Sequence, residues 1–423
     1  MLRTFKGFAF AAAALLTGAP VWAANGHLLH GVGAVNSAMG GAGVALPNDA
    51  LGALNLNPAL LTELDGYKFE FSAEYNDAQN AVESSVQTPV GTISGRTEDS
   101  GDRSVIPAFG FTAHKPGGPI GFGVGFLGLA GFGVDYAQDN SNPLLAPQPR
   151  GFGRVYSNYQ LLKIPVVAAF QVNPSLSIGA SFNAGHAILS ANPAGFSTPD
   201  CASATNCVFP SVNSDGAFGW GLGVGVLFKV NPKLNLGLSY STEQDFQEFV
   251  WNSTVANTSL PTYGQARKVR FKLNAPPILV GGLAFKPTSK LSLALDGKWI
   301  NYERTDGFKD TLGFKDITVI ALGVQFQATP TITLRLGGNH CDSPIDSSNV
   351  FSAVPVPAVF ENRISAGFGQ QVTSNLTLNL GYYHVFENRV DGPFQTPAGP
   401  APGTRVTTEM AMDAVVATFS FSL

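Results

Sequence analysis

Two histidines three residues apart, His27 and His30 in "HLLH", are the first residues along the chain whose type and spacing suit chemistry. The pair would serve a metal ion or a proton sensor working near neutral pH. Standing in a glycine-rich stretch ahead of any regular element, they read as isolated polar residues on a flexible arm. His114, His186, His340 and His384 are scattered and share no recurring serine or aspartate partner, so hydrolysis by an activated nucleophile is unsupported and no catalytic residue is assigned. The glycines do not form GxGxxG between a strand and a helix, which leaves no nucleotide site. Cys201 and Cys207 in "CASATNC" suit a loop disulfide in an oxidising compartment, with two free thiols as the alternative. Cys341 has no nearby CxxC or HxxxH-type partner that would argue for a metal. A net charge of −4 offers no basis for binding nucleic acid or an anionic membrane surface. No cofactor and no metal are expected.

The elements that must position these residues are strands. Residues 1–23 read as a secretory signal peptide: Arg3 and Lys6, then the uncharged "GFAFAAAALLTGAPVWA", ending with small side chains at Val21 and Ala23. From "FEFSAEY" onward, an alternation of period two recurs to the last residue. In "WGLGVGVLFKV", Trp220, Leu222, Val224, Val226, Phe228 and Val230 share one face, opposite Gly221, Gly223, Gly225, Leu227 and Lys229. In "LSLALDGKWI", Leu291, Leu293, Leu295 and Trp299 stand opposite Ser292, Ala294, Asp296 and Lys298. One face suits lipid, and the other is small or polar.

The connections alternate as well. Six short proline, asparagine or glycine turns ("HKPGGPIGFG", "QVNPSLSIG", "KVNPKLNLG", "FKPTSKLSL", "QATPTITL", "QQVTSNLTL") each lead into a new strand. Between them lie seven longer polar or proline-rich connections, about residues 78–102, 137–158, 190–215, 248–267, 304–313, 342–359 and 389–408. Thirteen connections imply fourteen strands with both ends on the short-turn side. The expected fold is all-β, a transmembrane antiparallel β-barrel of 14 strands over residues 67–423. A soluble β-sandwich would show a second face rich in Lys, Glu and Thr. Here that face is mostly Gly, Ala, Ser and Asn, and fourteen long strands left open would expose pairing edges that closure removes. The terminal "VVATFSFSL" puts Phe419, Phe421 and Leu423 on one face, resembling the signal that outer-membrane proteins show to the barrel-assembly machinery, with Leu423 where phenylalanine is usual.

Residues 24–66 precede the first strand and are too few to build a core alone. They contain "LNLNPALLTELDG", in which Asn57 suits a helix cap, Pro58 the first helical position and Gly66 a stop. A fourteen-stranded barrel encloses a lumen that can hold them. The inward Gly121, Gly123, Gly125, Gly221, Gly223 and Gly225 would let a segment pack against the wall. The segment is therefore read as a plug. The small-residue "AMGGAG", followed by Asn57-Pro58-Ala59 just before the first strand, resembles the hatch of the FadL/TodX family of outer-membrane transporters for long-chain fatty acids and hydrocarbons. The resemblance continues in "APPILVGGLAFKPTSKLSLALDGKWINYER", "FKDITVIALGVQFQATPTITLRLGGNHCDSPI" and "VPAVFENRISAGFGQQVTSNLTLNLGYYHVF", and so spans the mature chain.

The resemblance implies a monomeric outer-membrane barrel, an N-terminal hatch, a hydrophobic pocket inside and exit sideways into lipid through a gap at a kinked third strand. By count the third strand is Ile120 to Tyr136. Phe122, Val124, Phe126, Phe132, Val134 and Tyr136 are assigned to its lipid face, and a break is expected near Gly128, Ala130 and Gly131. A tightly packed unbroken strand is the alternative. The resemblance also implies that the residues just after cleavage, about Asn25 to Val35, move to reshape the pocket. Lys298, Arg335 and Arg363 fall on inward faces as candidates for a charged head group, or pair with other lumen charges. In the loop "NSNPLLAPQPRGFGRVY", Leu144, Leu145, Phe152 and Tyr156 form either an exposed first contact for greasy substrate or a lid packed on the barrel mouth. The competing function is a diffusion porin for polar solutes, which would keep an open, charged constriction. The expected partners are a hydrophobic small molecule, outer-membrane lipid and the assembly machinery.

Overall fold

The computed structural model describes residues 25–101, 103–396 and 398–423, so the signal-peptide reading lies outside the described residues. Fourteen antiparallel strands form the wall: β1 Gly66–Thr88, β2 Arg103–His114, β3 Ile120–Tyr136, β4 Val155–Asn173, β5 Leu176–Asn192, β6 Val212–Asn231, β7 Leu234–Ser241, β8 Ile278–Phe285, β9 Leu291–Ile300, β10 Ile317–Gln327, β11 Ile332–Cys341, β12 Asn362–Gln371, β13 Leu376–Gly392 and β14 Thr404–Ser422. Each pairs with its sequence neighbour, and β1 pairs with β14, so the sheet closes on itself. Closure gives every strand two neighbours, as a sheet in hydrocarbon requires because lipid cannot accept its backbone hydrogen bonds. Both ends of the barrel meet at the short-turn rim, where Tyr67 and Leu423 exchange backbone hydrogen bonds of 3.1 and 2.9 Å.

The alternation sorts the side chains as a lipid-facing wall demands. Trp220, Leu222, Val224, Phe228 and Val230 of β6 are exposed on the outside, as are Phe419, Phe421 and Leu423 at the C-terminus. At the opposite rim the long loops fold into a cap. In it a hairpin of Phe249–Thr254 and Ala266–Phe271 lies beside a smaller one that contains Cys201 and Cys207.

Almost every residue from 25 to 64 is buried against the inner faces of the wall. This segment holds α1 Gly33–Ala38, α2 Ala50–Leu56 and a 3-10 turn at Pro58–Glu63. Helices this short are marginal alone and persist through packing. α1 lies on β12, β13 and β14, α2 on β2 and β3, and the 3-10 turn on β4, β5 and β6. Asp49 caps α2 by accepting from Gly52 N at 3.0 Å. After α1 the chain reverses at Gly40 and Gly41 (φ +68° and +81°), a left-handed backbone that only glycine takes freely. A Cβ on Gly40 would also lie 2.5 Å from Gly338 N of β11. Backbone meets backbone there, so glycine is needed on conformational and steric grounds alike.

Candidate functional site

The Asn57-Pro58-Ala59 triplet fixes the end of the N-terminal segment. Asn57 is completely buried, accepts from Ala59 N at 3.0 Å to cap the 3-10 turn, and donates through Nδ2 to Val44 O (2.8 Å) and to Val226 O of β6 (3.0 Å). One side chain thus joins the turn, the preceding loop and the wall. The wall makes room with glycine: a Cβ on Gly225 would overlap Asn57 Oδ1, and one on Gly179 would lie 2.5 Å from the Pro58 carbonyl carbon. Of the six inward glycines expected to face this segment, Gly121, Gly123, Gly125 and Gly225 do so. Gly221 instead faces Thr242 to Gln244 of a long loop, and Gly223 faces Ser181, because the segment covers only part of the β6 inner face.

Carboxylates on the wall hold the segment by its backbone amides. Asp296 Oδ2 of β9 accepts from Gly43 N and Val44 N at 2.7 and 2.9 Å. Glu70 Oε2 of β1 accepts from Leu51 N in the first turn of α2 at 2.9 Å. Lys163 Nζ of β4 donates to Asn55 Oδ1 at 3.1 Å, and Lys229 Nζ of β6 pairs with Glu63 at 2.8 Å. Sequence reasoning put Asp296 on an inward face but assigned it no role, and it missed Glu70 and Lys163. The signal was an ionisable residue at an inward position of an otherwise small or polar face.

The wall is interrupted at β3. β2 pairs with β3 only from Ala108↔Leu127 to His114↔Gly121, whereas β2 continues its pairing with β1 as far as Arg103. On its other side β3 stays paired with β4 to Tyr136, with one extra residue, Leu129, between the partners Gly128 and Ala130. A one-residue bulge reverses the alternation beyond it. That corrects the faces read from sequence: Phe122 and Phe126 point outward, but Phe132, Val134 and Tyr136 are buried in the lumen at 6%, 1% and 0% exposure. The freed edge of β3 is paired by the N-terminal arm. Leu28 bridges Ala130, Leu29 N donates to Leu129 O at 2.9 Å, and Gly131 N donates to His27 O at 3.0 Å. Leu29 packs against Ile106 of β2. Farther along, a bridge between Asp99 and Tyr136 bounds the interruption.

The arm is thus paired to β3, and the reading of its histidines as isolated polar residues is corrected. His27 is buried among Tyr302, Phe308 and Tyr159, with ring centroids 5.5, 4.4 and 6.1 Å away. Tyr302 Oη receives His27 N–H at 3.2 Å, lies 2.9 Å from His27 Nδ1 and donates to Asn25 O at 3.2 Å. His30 stacks edge-on against Tyr383 at 4.3 Å, with Nε2 3.3 Å from Ser37 O. Both rings are essentially without solvent exposure, buried mainly against aromatic side chains.

The other candidates are distributed over separate places. Lys298 of β9 and Arg363 of β12 act on each other electrostatically, and Lys163 lies within reach of Lys298. Arg335 of β11 stands apart, donating to Gln325 Oε1 at 2.7 Å and Asn379 Oδ1 at 3.1 Å. Leu144 and Leu145, expected on an exposed surface in one of the two loop readings, are 2% and 0% exposed. The 3-10 turn Pro143–Leu145, capped by Asn142, rotates both inward. Phe152 is half-buried against Phe351 and Phe209, and Arg154 lies over the Tyr156 ring at 5.1 Å. Cys201 and Cys207 are disulfide-bonded in the loop cap.

A family model described as outer membrane protein transport protein (OMPP1/FadL/TodX) matches residues 15–423. The chain belongs to this family. The long-chain fatty acid transport protein of Escherichia coli is 22% identical over 91% of this chain and 92% of that one. The 47 kDa outer membrane protein of Pasteurella multocida is 23% identical over 43% of this chain and 46% of that one, a match spanning less than half of that relative's length. Among solved structures, the barrel is similar to the P. putida toluene transporter TodX (18% identity, TM-score 0.67, covering 93% of this chain and 99% of that one). It is also similar to a Pseudomonas aeruginosa FadL homologue (14% identity, TM-score 0.72, covering 93% and 98%). Membership and the closed barrel with its apolar exterior make this FadL/TodX-family chain an outer-membrane transport protein.

Proposed function

We propose that this FadL/TodX-family barrel carries hydrophobic small molecules from the loop cap into the lumen and releases them sideways into lipid between β2 and β3. The observation that carries this reading is the β3 edge: wall pairing stops at Leu127, and a segment that is not part of the wall, residues 27–29, closes the interruption. An apolar ligand gains ~25 cal/mol for each Å² removed from water, so capture needs no chemical step and the protein acts without catalysis. The N-terminal segment, read from the sequence as residues 24–66, acts as the hatch, and release requires the arm to leave the β3 edge. The lumen filled by this segment favours the carrier reading over a diffusion porin, which would keep an open aqueous constriction. Lys298 and Arg363, with Lys163 nearby, favour ligands that bear an anionic head group, such as fatty acids, over neutral hydrocarbons. The barrel works as a monomer in contact with outer-membrane lipid after insertion by the assembly machinery.

A reversible staple tests the route. Leu28 and Ala130 are direct bridge partners, so Leu28→Cys with Ala130→Cys places two thiols at a separation suited to a disulfide. Uptake of labelled oleate by cells carrying the oxidised variant should fall to background and return on reduction, with wild type under the same reductant as control. Wild-type uptake by the fully oxidised variant would refute lateral release. A large steady conductance of purified wild type in planar bilayers would instead favour the porin.

A further inference from the structure

We propose that His27 and His30 form a proton-released latch that holds the N-terminal arm against the edge of β3. The inference concerns regulation of the release route proposed above and rests on that reading. His27 lies in the segment that closes the interruption and His30 directly follows it, and both are essentially without solvent exposure. His27 Nε2 and His30 Nδ1 have no partner among the described residues, so neither ring is placed to share an added proton with an acceptor. His27 faces Tyr302, Tyr159 and Phe308, and no carboxylate is among these contacts. His30 faces Tyr383 of β13 and the positive charges of Arg363 on β12 and Lys298 on β9. Glu74 of β1 is engaged by the Tyr383 hydroxyl at 2.6 Å. A proton on His30 would place a third cation beside two others.

Burial holds His27 down to about 3. Burial first, then Arg363, holds His30 well below its ordinary range. Once the arm leaves, both rings meet water and regain an ordinary value of about 6.5. The released state then binds more protons than the seated one, so seating is constant above about pH 6.5 and weakens as pH falls below it. Each histidine contributes up to about tenfold per pH unit in that window. Release breaks the hydrogen bonds of Leu29 N and Gly131 N, which makes those two amides direct reporters of the latch.

The test is amide hydrogen exchange of the full mature chain in lipid nanodiscs at pH 7.5 and 5.5, corrected for the intrinsic pH dependence of exchange. In wild type the open population reported by Leu29 and Gly131 should rise about 100-fold between these values, from about tenfold for each of two histidines. His27→Gln and His30→Gln should each reduce the response to about tenfold, and the double variant should show none, whatever its absolute openness. Histidine NMR adds a second measurement: in the protein stapled between residues 28 and 130, both rings should stay neutral at pH 5.5. Unchanged wild-type protection between the two pH values, a full response in the double variant, or charged rings in the stapled protein would each overturn the latch. Exchange reads arm seating and not passage. A flat profile in a protein whose staple blocks uptake overturns the latch alone, whereas a pH-responsive arm whose staple leaves uptake intact overturns the route alone.

Discussion

Replacing Asn57 with alanine should unseat the N-terminal segment proposed as the hatch while leaving the barrel closed. The side chain makes three hydrogen bonds with no exposure to water, to Ala59 N, Val44 O and Val226 O. Loss of the cap is worth about 1 kcal/mol. Each carbonyl deprived of its buried donor adds about 1 kcal/mol more. The sum, about 3 kcal/mol, corresponds to a rise of about 150-fold in the population of unseated hatch. None of the strand pairing that closes the barrel passes through Asn57, so the wall should stay closed. Hydrogen exchange over residues 43–62 should therefore accelerate about 150-fold while exchange in β8 to β12 does not change. Asn57→Asp sharpens the test, since its carboxylate can still cap Ala59 but would face the Val44 and Val226 carbonyls with no donor, and it should loosen the hatch more than alanine does. An acceleration below about fivefold, which is ~1 kcal/mol, would refute the claim that this residue ties the hatch to the wall.

Gly179→Ala should shift or loosen the 3-10 turn by about 1–3 kcal/mol, because the added Cβ meets Pro58 backbone that cannot rotate away; accelerated exchange at residues 58–63 is the readout, and an unchanged rate would show that the wall yields instead. Asp296→Asn keeps an acceptor for Gly43 N or Val44 N but removes its charge, and should loosen that loop by about 1–2 kcal/mol, seen as protease cleavage near residue 43 in the variant and not in wild type. Lys298→Met combined with Arg363→Met should weaken oleate binding at least tenfold and leave toluene binding within twofold; equal losses for both ligands would assign these cations to lumen structure and not to a head group.

Strand count, turn side and outward faces were legible because period-two alternation is a local signal that closure reinforces. Trp220 to Val230 and Phe419 to Leu423 stand where their spacing placed them. The 3-10 turn after Asn57 was legible for a similar reason, since its cap and proline are adjacent; the stop read at Gly66 falls instead at Leu64, and Gly66 opens β1. The fates of His27, Leu144 and Leu145 were not, because burial of a loop residue depends on partners such as Tyr302 that lie hundreds of positions away in sequence. The inward Asp296 was visible as an ionisable residue on a small or polar face, whereas Glu70 was missed. Their partners are backbone amides, which leave no trace in side-chain chemistry.

The bulge at Leu129 joins these limits to the function. Alternation is a parity rule, so a single inserted residue reverses every side chain after it, and sequence alone placed Phe132, Val134 and Tyr136 on the wrong side. The same inversion turns these apolar side chains into lumen lining beside the interruption, where Phe132 stacks on Tyr159 at 4.9 Å. Beyond Leu127 the β3 edge is also unpaired with β2. Backbone groups at hydrocarbon depth must be satisfied, and here two arm hydrogen bonds, at Leu129 O and Gly131 N, contribute to that. Each would cost about 1–3 kcal/mol if left unmade. In the release route proposed above, the bonds of the arm would set the energy scale of opening: a few kcal/mol, which a ligand burying apolar surface beside Phe132 would offset.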